Sequence, residues 1–146
     1  MAKHISNMNQ LQAALMPTMV KMVDELAERV YETLNYFLQE YYDSYDPKSY
    51  RRQYDFLRSA VKVEPKIQGS KVTASVYIDT DSMDSYYNAT GEQVGSWANQ
   101  GTHGGKISGN NTPHVWDDTL DETVNNGELL KLAVEYLKSK GIPVRT

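Results

Sequence analysis

His103 and His114 are the residues of this chain that come nearest to metal chemistry. His103 stands in Gly-Thr-His-Gly-Gly, and His114 lies just before Trp116-Asp117-Asp118. Imidazole nitrogens and a carboxylate can hold Zn²⁺ or Mn²⁺, and a bound cation activates water for hydrolysis. One reading is therefore a small metal-dependent hydrolase using His103, His114 and Asp117. The spacing matches neither H-x-x-x-H nor H-E-x-x-H, the patterns that set two ligands on one helix face. Histidines hydrogen-bonded within a loop satisfy the same sequence. His4 falls in the N-terminal stretch and reads as solvated. The chain has no cysteine, which removes disulfides, thiolate ligands and a cysteine nucleophile.

Phosphate and acid–base chemistry find less support. Gly-Thr-His-Gly-Gly-Lys-Ile-Ser-Gly has the glycines of a phosphate cradle, but Lys106 is followed by Ile107 and no helical pattern comes behind it. The carboxylate pairs Asp79/Asp81, Asp117/Asp118 and Asp121/Glu122 lie in polar, turn-like settings. No apolar surroundings are in view to drive their pKa values apart. No nucleophile elbow is present. The reading is a protein without an enzymatic activity and without a cofactor.

A second chemistry-bearing cluster runs from Ser44 to Ser59. Arg51, Arg52 and Arg58 alternate there with Tyr45, Tyr50, Tyr54 and Phe56. Arginine beside aromatic rings stacks on nucleic-acid bases, and the same pair dominates protein–protein contacts. An adaptor touching DNA through Arg51, Arg52 and Arg58 is one alternative. The formal charge of −4 and the neighbours Asp43, Asp46 and Asp55 favour a partner interface or an intramolecular anchor.

The elements that must position these residues follow from periodicity. At 146 residues with 40% hydrophobic content, the chain reads as one domain, 1–146, with 1–17 a loosely attached N-terminus. Eleven Tyr against two Phe and two Trp favour half-buried and interface positions. From Thr18 to Tyr42 apolar residues recur every three or four positions, with Met19, Val23, Leu26, Val30, Leu34, Phe37 and Tyr41 as the main stripe. Pro17 fits the first turn, and Glu25 and Arg29 fit an i,i+4 pair. Such a helix, about 38 Å long, exceeds the core of a small domain. Asp46-Pro47 follows its end.

Two alternating runs around Gln68-Gly69-Ser70 predict a hairpin, with Pro65 at an edge or bulge of the first strand. Val72, Ala74, Val76 and Ile78 face inward in the second strand. A polar span from Thr80 to Pro113 holds five of the nine glycines between Gly95 and Gly109, with Glu92–Ala98 as its candidate helical piece. Thr119 and Glu122 have capping-box form, which turns Leu120 and Val124 inward. A last helix, Glu128 to Lys140, stops at Gly141-Ile142-Pro143. The expected fold is α+β: long N-terminal and C-terminal helices packed on a small antiparallel sheet, with a long Gly-rich loop. No apolar run reaches the length of a signal peptide or membrane span, so the chain reads as soluble and intracellular when made.

This order of features resembles the head–tail neck and tail-completion proteins of long-tailed bacteriophages. That family shows a helix, then a segment of the form Y-x-P-x-x-Y-x-R-[TS]-G-x-L-x-x-S, then the sheet. Tyr45, Pro47, Tyr50, Arg52, Leu57 and Ser59 match in order, while Gln53-Tyr54 stand where Thr-Gly is usual. Gly101 to Gly104 resembles a glycine–histidine loop of the family. The resemblance spans roughly 18 to 105 and implies a structural virion protein. Its subunits form a homo-oligomeric ring, commonly of six, between the head connector and the tail tube. Genomic DNA passes through the lumen without specific binding, and no membrane is involved. Taken with the arginine–tyrosine cluster, the candidate partner contacts are Tyr45, Tyr50, Arg51, Arg52, Tyr54, Trp97, Gly101, His103, Gly104 and Gly105.

Overall fold

The structure, a computed structural model, describes residues 5–44, 56–80, 91–103, 106–107 and 113–145, with backbone alone at Gly91, His103, Lys106 and Ile107. Helix α1 spans Met8–Asp43, 36 residues or about 54 Å. Its start lies ten residues before the expected Thr18. Asn7, extended at φ −151°, accepts the Gln10 N–H on Oδ1 at 2.9 Å. The Gln10 side chain reaches back to the Ser6 N–H at 2.7 Å. This reciprocal pair is a capping box displaced by one residue. Pro17 is consequently interior to the helix, not in its first turn. It leaves the carbonyl four residues earlier, Ala13 on an exposed turn, without a helical donor. The helix ends as expected, with Ser44 N–H on Glu40 O at 3.0 Å.

Strands β1 (Ala60–Gln68) and β2 (Lys71–Ile78) pair antiparallel around a two-residue turn, Gly69-Ser70. Gly69 sits at φ +62°, a conformation the tight turn requires and glycine adopts freely. The register slips once between Val63 and Lys66, where Glu64-Pro65 opposes Ala74 alone. Pro65 is thus placed in a bulge, where its missing N–H breaks no ladder bond. Val72, Ala74, Val76 and Ile78 are half-buried while Thr73, Ser75 and Tyr77 are exposed, the expected alternation. Both strands pack along α1. Lys62, paired with Val76 on that inner face, lies between two α1 carboxylates, Asp24 at 2.7 Å and Glu28 at 3.0 Å.

Helix α2 covers Gly91–Gln100, and β3 (Thr102–His103) pairs antiparallel with β4 (Lys106–Ile107). Helix α3 (Val115–Leu120) runs on into a π-helical turn, Asp121–Asn125, and α4 spans Glu128–Ser139. The C-terminal half corrects two expectations. Thr119 is not an N-cap, because the helix already starts at His114. Thr119 and Thr123 are wholly buried, and Leu120 and Val124 face out at 39% and 51% exposure. Each threonine hydroxyl donates to the carbonyl one turn back, Val115 O and Thr119 O, at 2.6 Å. That internal bond lets a small polar side chain sit in the core at little cost. Arg29 pairs with Glu128 Oε1 at 2.6 Å and so ties α1 to α4, where Glu25 was the expected partner. The stop at Gly141 is as expected: Ile142 N–H bonds Leu137 O and Gly141 N–H bonds Lys138 O, both at 3.0 Å.

The core gathers at the C-terminal end of α1. Leu34, Leu38, Tyr41 and Tyr42 pack with Phe56, Ala60, Ala98 and Val115. Leu34 and Tyr41 of the expected stripe are buried, joined by Met22, Ala27, Leu38 and Tyr42, while Met19, Val23, Leu26 and Val30 are half-buried. Phe56 stands edge-on to Tyr41 at 5.9 Å and stacks on Tyr42 at 6.4 Å. Tyr42 OH accepts the Leu57 N–H at 3.2 Å, and Asp79 N–H bonds Ser59 O at 2.8 Å. The corner Phe56–Ser59 thus locks the end of α1 to the root of the hairpin. Helices and one small antiparallel hairpin make the fold α+β.

Candidate functional site

Of the residues singled out in the sequence, Trp97, Gly101, His114 and Asp117 lie at the two stems of the glycine-rich segment. One stem leaves α2 at Gly101, whose φ of +74° reverses the chain behind the last helical turn. Tyr41, from the buried end of α1, donates its hydroxyl to Thr102 O at 2.5 Å. Thr102 Oγ1 lies 3.4 Å from Trp97 O. Trp97 itself is half-buried on α2.

The other stem is His114, at the N-cap of α3. Its Nδ1 lies 2.9 Å from Asn99 O, a carbonyl that can only accept, so Nδ1 carries the proton. Gly101 lies against the same ring. A Cβ there would stand 3.0 Å from Cε1 and 3.1 Å from Nε2 of His114. Only a residue without a side chain fits this approach. Asn99 completes the clamp: its Oδ1 accepts the Asp117 N–H at 2.9 Å, and its Nδ2 faces Asp117 Oδ1 at 3.4 Å. The Asp118 carboxylate accepts the His114 N–H at 2.9 Å. Carboxylates at 117 and 118 also suit the positive end of the α3 dipole. The last turn of α2 and the first turn of α3 are thereby joined.

His114 and Asp117 serve position in this arrangement, since each is directed at backbone or amide groups of the clamp. Among the described residues, no group of three or more His, Asp or Glu side chains is placed to hold a metal ion. The His103 imidazole, Gly104 and Gly105 lie outside the described residues, as do Tyr45, Tyr50, Arg51, Arg52 and Tyr54. Arg58 is exposed at the corner. Asn99 and Tyr41, which hold the clamp, escaped the sequence reading. Asn99 had a usable signal, an amide followed by Gln-Gly at the end of an apolar-periodic stretch. Tyr41 had none beyond its place in the helical stripe.

A long helix carrying a hairpin, with the end of α2 clamped to the start of α3, defines an α+β protein. The YomN family model matches residues 7–139, and the chain belongs to that family. The family is phage-derived, which makes this a phage-associated protein. No curated protein and no solved structure matches the chain. Among the described residues no helix is long and apolar enough to cross a membrane.

Proposed function

We propose that the chain is a structural virion protein of a tailed phage. In this reading it forms a homo-oligomeric ring at the head–tail neck or tail end and joins the head connector to the tail tube. The observation that carries it is the order of elements in a phage-derived family: amphipathic helix, Tyr-x-Pro-x-x-Tyr-x-Arg segment, hairpin, glycine-rich segment. The clamp on Gly101 and His114 supports a docking role for residues 104–112. A loop whose stems are fixed loses less conformational freedom when a partner orders it. The hydrogen bonds of His114 and Asp117 favour scaffolding over catalysis. The net charge of −4 suits a lumen along which DNA slides without adhering.

The test is the protein content of purified particles. Mass spectrometry of intact virions finds the chain at a fixed ratio to the tail-tube protein, and disruption of its gene leaves heads and tails unjoined. A virion without the chain, or joined particles from the disrupted phage, overturns the reading. Replacing residues 104–109 by a short Gly-Ser linker leaves the fold intact and blocks joining.

A further inference from the structure

The N-terminal third of α1 is built unlike the rest of the molecule. From Ile5 to Val20 the sequence contains no Asp, Glu, Lys or Arg. From Lys21 onward the same helix is densely charged. A lone helix of this length in water needs charge pairs or a packed face to hold it. This stretch has no acidic residue in its first turn, and residues 5–14 are all exposed.

The arm also carries an unfinished seam. Met8, Leu11, Leu15, Thr18 and Met22 follow one another at intervals of three and four, the spacing of a helix–helix interface. Met22 is buried and Leu15 and Thr18 are half-buried, but Met8 is 76% exposed. The hairpin stops covering the helix at its tip, where Gln12 Nε2 reaches Gly69 O at 3.4 Å. Beyond that point Ile5, Met8 and Leu11 stand free, with Ile67 of β1 exposed at 56%. Leu130 on α4 is as exposed but sits beside Glu128 and Lys131, an ordinary solvated surface.

We propose that this arm, residues 5–20 with the hairpin tip, is where copies of this chain meet, arm packed against arm. This goes beyond the ring reading, since a self-complementary contact pairs two copies rather than closing a ring, and it rests on that reading for its biological setting. The occupant follows from the chemistry. The chain carries a net charge of −4, so two copies meeting through their charged faces repel, whereas residues 5–20 carry no charged side chain and only Lys66 and Lys71 flank the hairpin tip. The arm's amide residues are Asn7, Asn9, Gln10 and Gln12, beside the hydroxyls of Ser6 and Thr18, and each amide both donates and accepts. A surface of amides and aliphatic side chains is complementary to a copy of itself. The three–four seam calls for another helix to fill it, and the second arm supplies one.

Sedimentation velocity of the full chain over micromolar to high-micromolar concentrations tests this. Wild type associates with rising concentration, and Met8→Lys or Leu11→Lys weakens association by roughly tenfold or more, since a cation then has to enter the seam. Leu130→Lys associates as wild type does. The absence of native cysteine allows a second reading that keeps the arm apolar: Leu11→Cys forms a disulfide-linked dimer on mild oxidation, and Leu130→Cys does not. A wild type that stays monomeric throughout overturns the proposal. So does a Leu11→Lys chain that associates undiminished, or a Leu130→Lys chain that loses as much. Arm variants that still join heads to tails refute the arm contact while the neck reading stands. A chain that associates through its arm but is missing from virions does the reverse.

Discussion

Replacing Gly101 by alanine tests the clamp against a control inside the same molecule. Gly101 and Gly127 share the left-handed conformation, at φ +74° and +79°. An alanine at either position meets the steric cost of that region, about 1–2 kcal/mol. They differ in surroundings: a Cβ at 127 meets nothing within 4 Å, whereas one at 101 lands on the His114 ring at 3.0 Å. That is well inside the ordinary carbon–carbon separation of about 3.5–4.0 Å. The ring must shift, and it is held by the hydrogen bond from Nδ1 to Asn99 O. Loss of such a bond costs about 0.5–1.5 kcal/mol. Gly101→Ala therefore destabilises by about 2–3 kcal/mol and Gly127→Ala by about 1–2 kcal/mol.

For a chain of this size the first figure lowers Tm by roughly 5–10 °C, and the difference between the two variants amounts to a few degrees. Urea unfolding followed by circular dichroism measures both. The decisive comparison adds His114→Ala, which removes the ring but keeps the backbone of the N-cap. With the ring gone, alanine at 101 costs only what it costs at 127, and the double-mutant cycle shows a coupling of about 1 kcal/mol. Equal losses at 101 and 127, or no coupling between 101 and 114, refute the reasoning that Gly101 is required by its approach to the ring.

Three further outcomes follow from the packing. Leu38→Ala, at the centre of the core with no exposure, destabilises by about 2–5 kcal/mol in the same unfolding assay, while Leu130→Ala shifts it by no more than about 0.5 kcal/mol. Tyr41→Phe removes the hydroxyl from Thr102 O and speeds proteolysis within 101–113 with little change in global stability. Lys62→Met lowers stability, and the effect depends on pH in a definite sense. Hydrogen bonds to Asp24 and Glu28 push the Lys62 pKa above its ordinary lysine value. A group raised on folding contributes fully below its unfolded pKa and loses that contribution as pH climbs through the raised value. Wild type and Lys62→Met therefore differ by a constant amount from neutral pH to about 10, the ordinary lysine range, and converge only above it. A difference that closes between neutral pH and about 9 refutes the Lys62 bridge.

Period-two and turn signals were the most legible part of the fold. Val72 to Ile78, Gly69-Ser70 and Pro65 each carry one strong local constraint, and strand, turn and bulge fell where those constraints put them. Gly141-Ile142 was legible for the same reason, since the cap needs only two residues. The start of α1 was misread because two local signals competed. Pro17 fits a first helical turn, but Asn7-x-x-Gln10 is a capping pair, and an exposed proline is tolerated inside a helix long enough to absorb one missing bond. Thr119 was misread, and Thr123 passed over, because a hydroxyl that bonds its own helix counts as apolar to the core, which composition cannot reveal. Within the candidate site Gly101 and His114 could be named from type alone. Their contact could not, because it joins two helix ends across the whole glycine-rich segment and depends on Asn99, whose role is geometric.

The two ends of α1 make different physical demands. At Leu34 to Tyr42 the helix is enclosed by the corner, α2 and α3, and Tyr41 reaches Thr102 O from inside that enclosure. A loop stem tied there moves with the core. From Met8 to Val20 the helix carries no charged side chain, its turns through Ala14 are exposed, and its cap at Asn7 fixes where it begins but not what those turns rest on. A helix about 54 Å long can serve both ends only if it stays straight and stiff between them. The middle third supplies that stiffness through Lys62, bridged to Asp24 and Glu28, and through Arg29, bridged to Glu128. These bridges bind the hairpin to one face and α4 to another. Weakening them is accordingly expected to loosen the register between the arm and the clamped loop before it unfolds either end. If the chain joins heads to tails as proposed, double substitution of Lys62 and Arg29 reduces that joining more than it reduces Tm; an equal loss of both means the bridges only add stability.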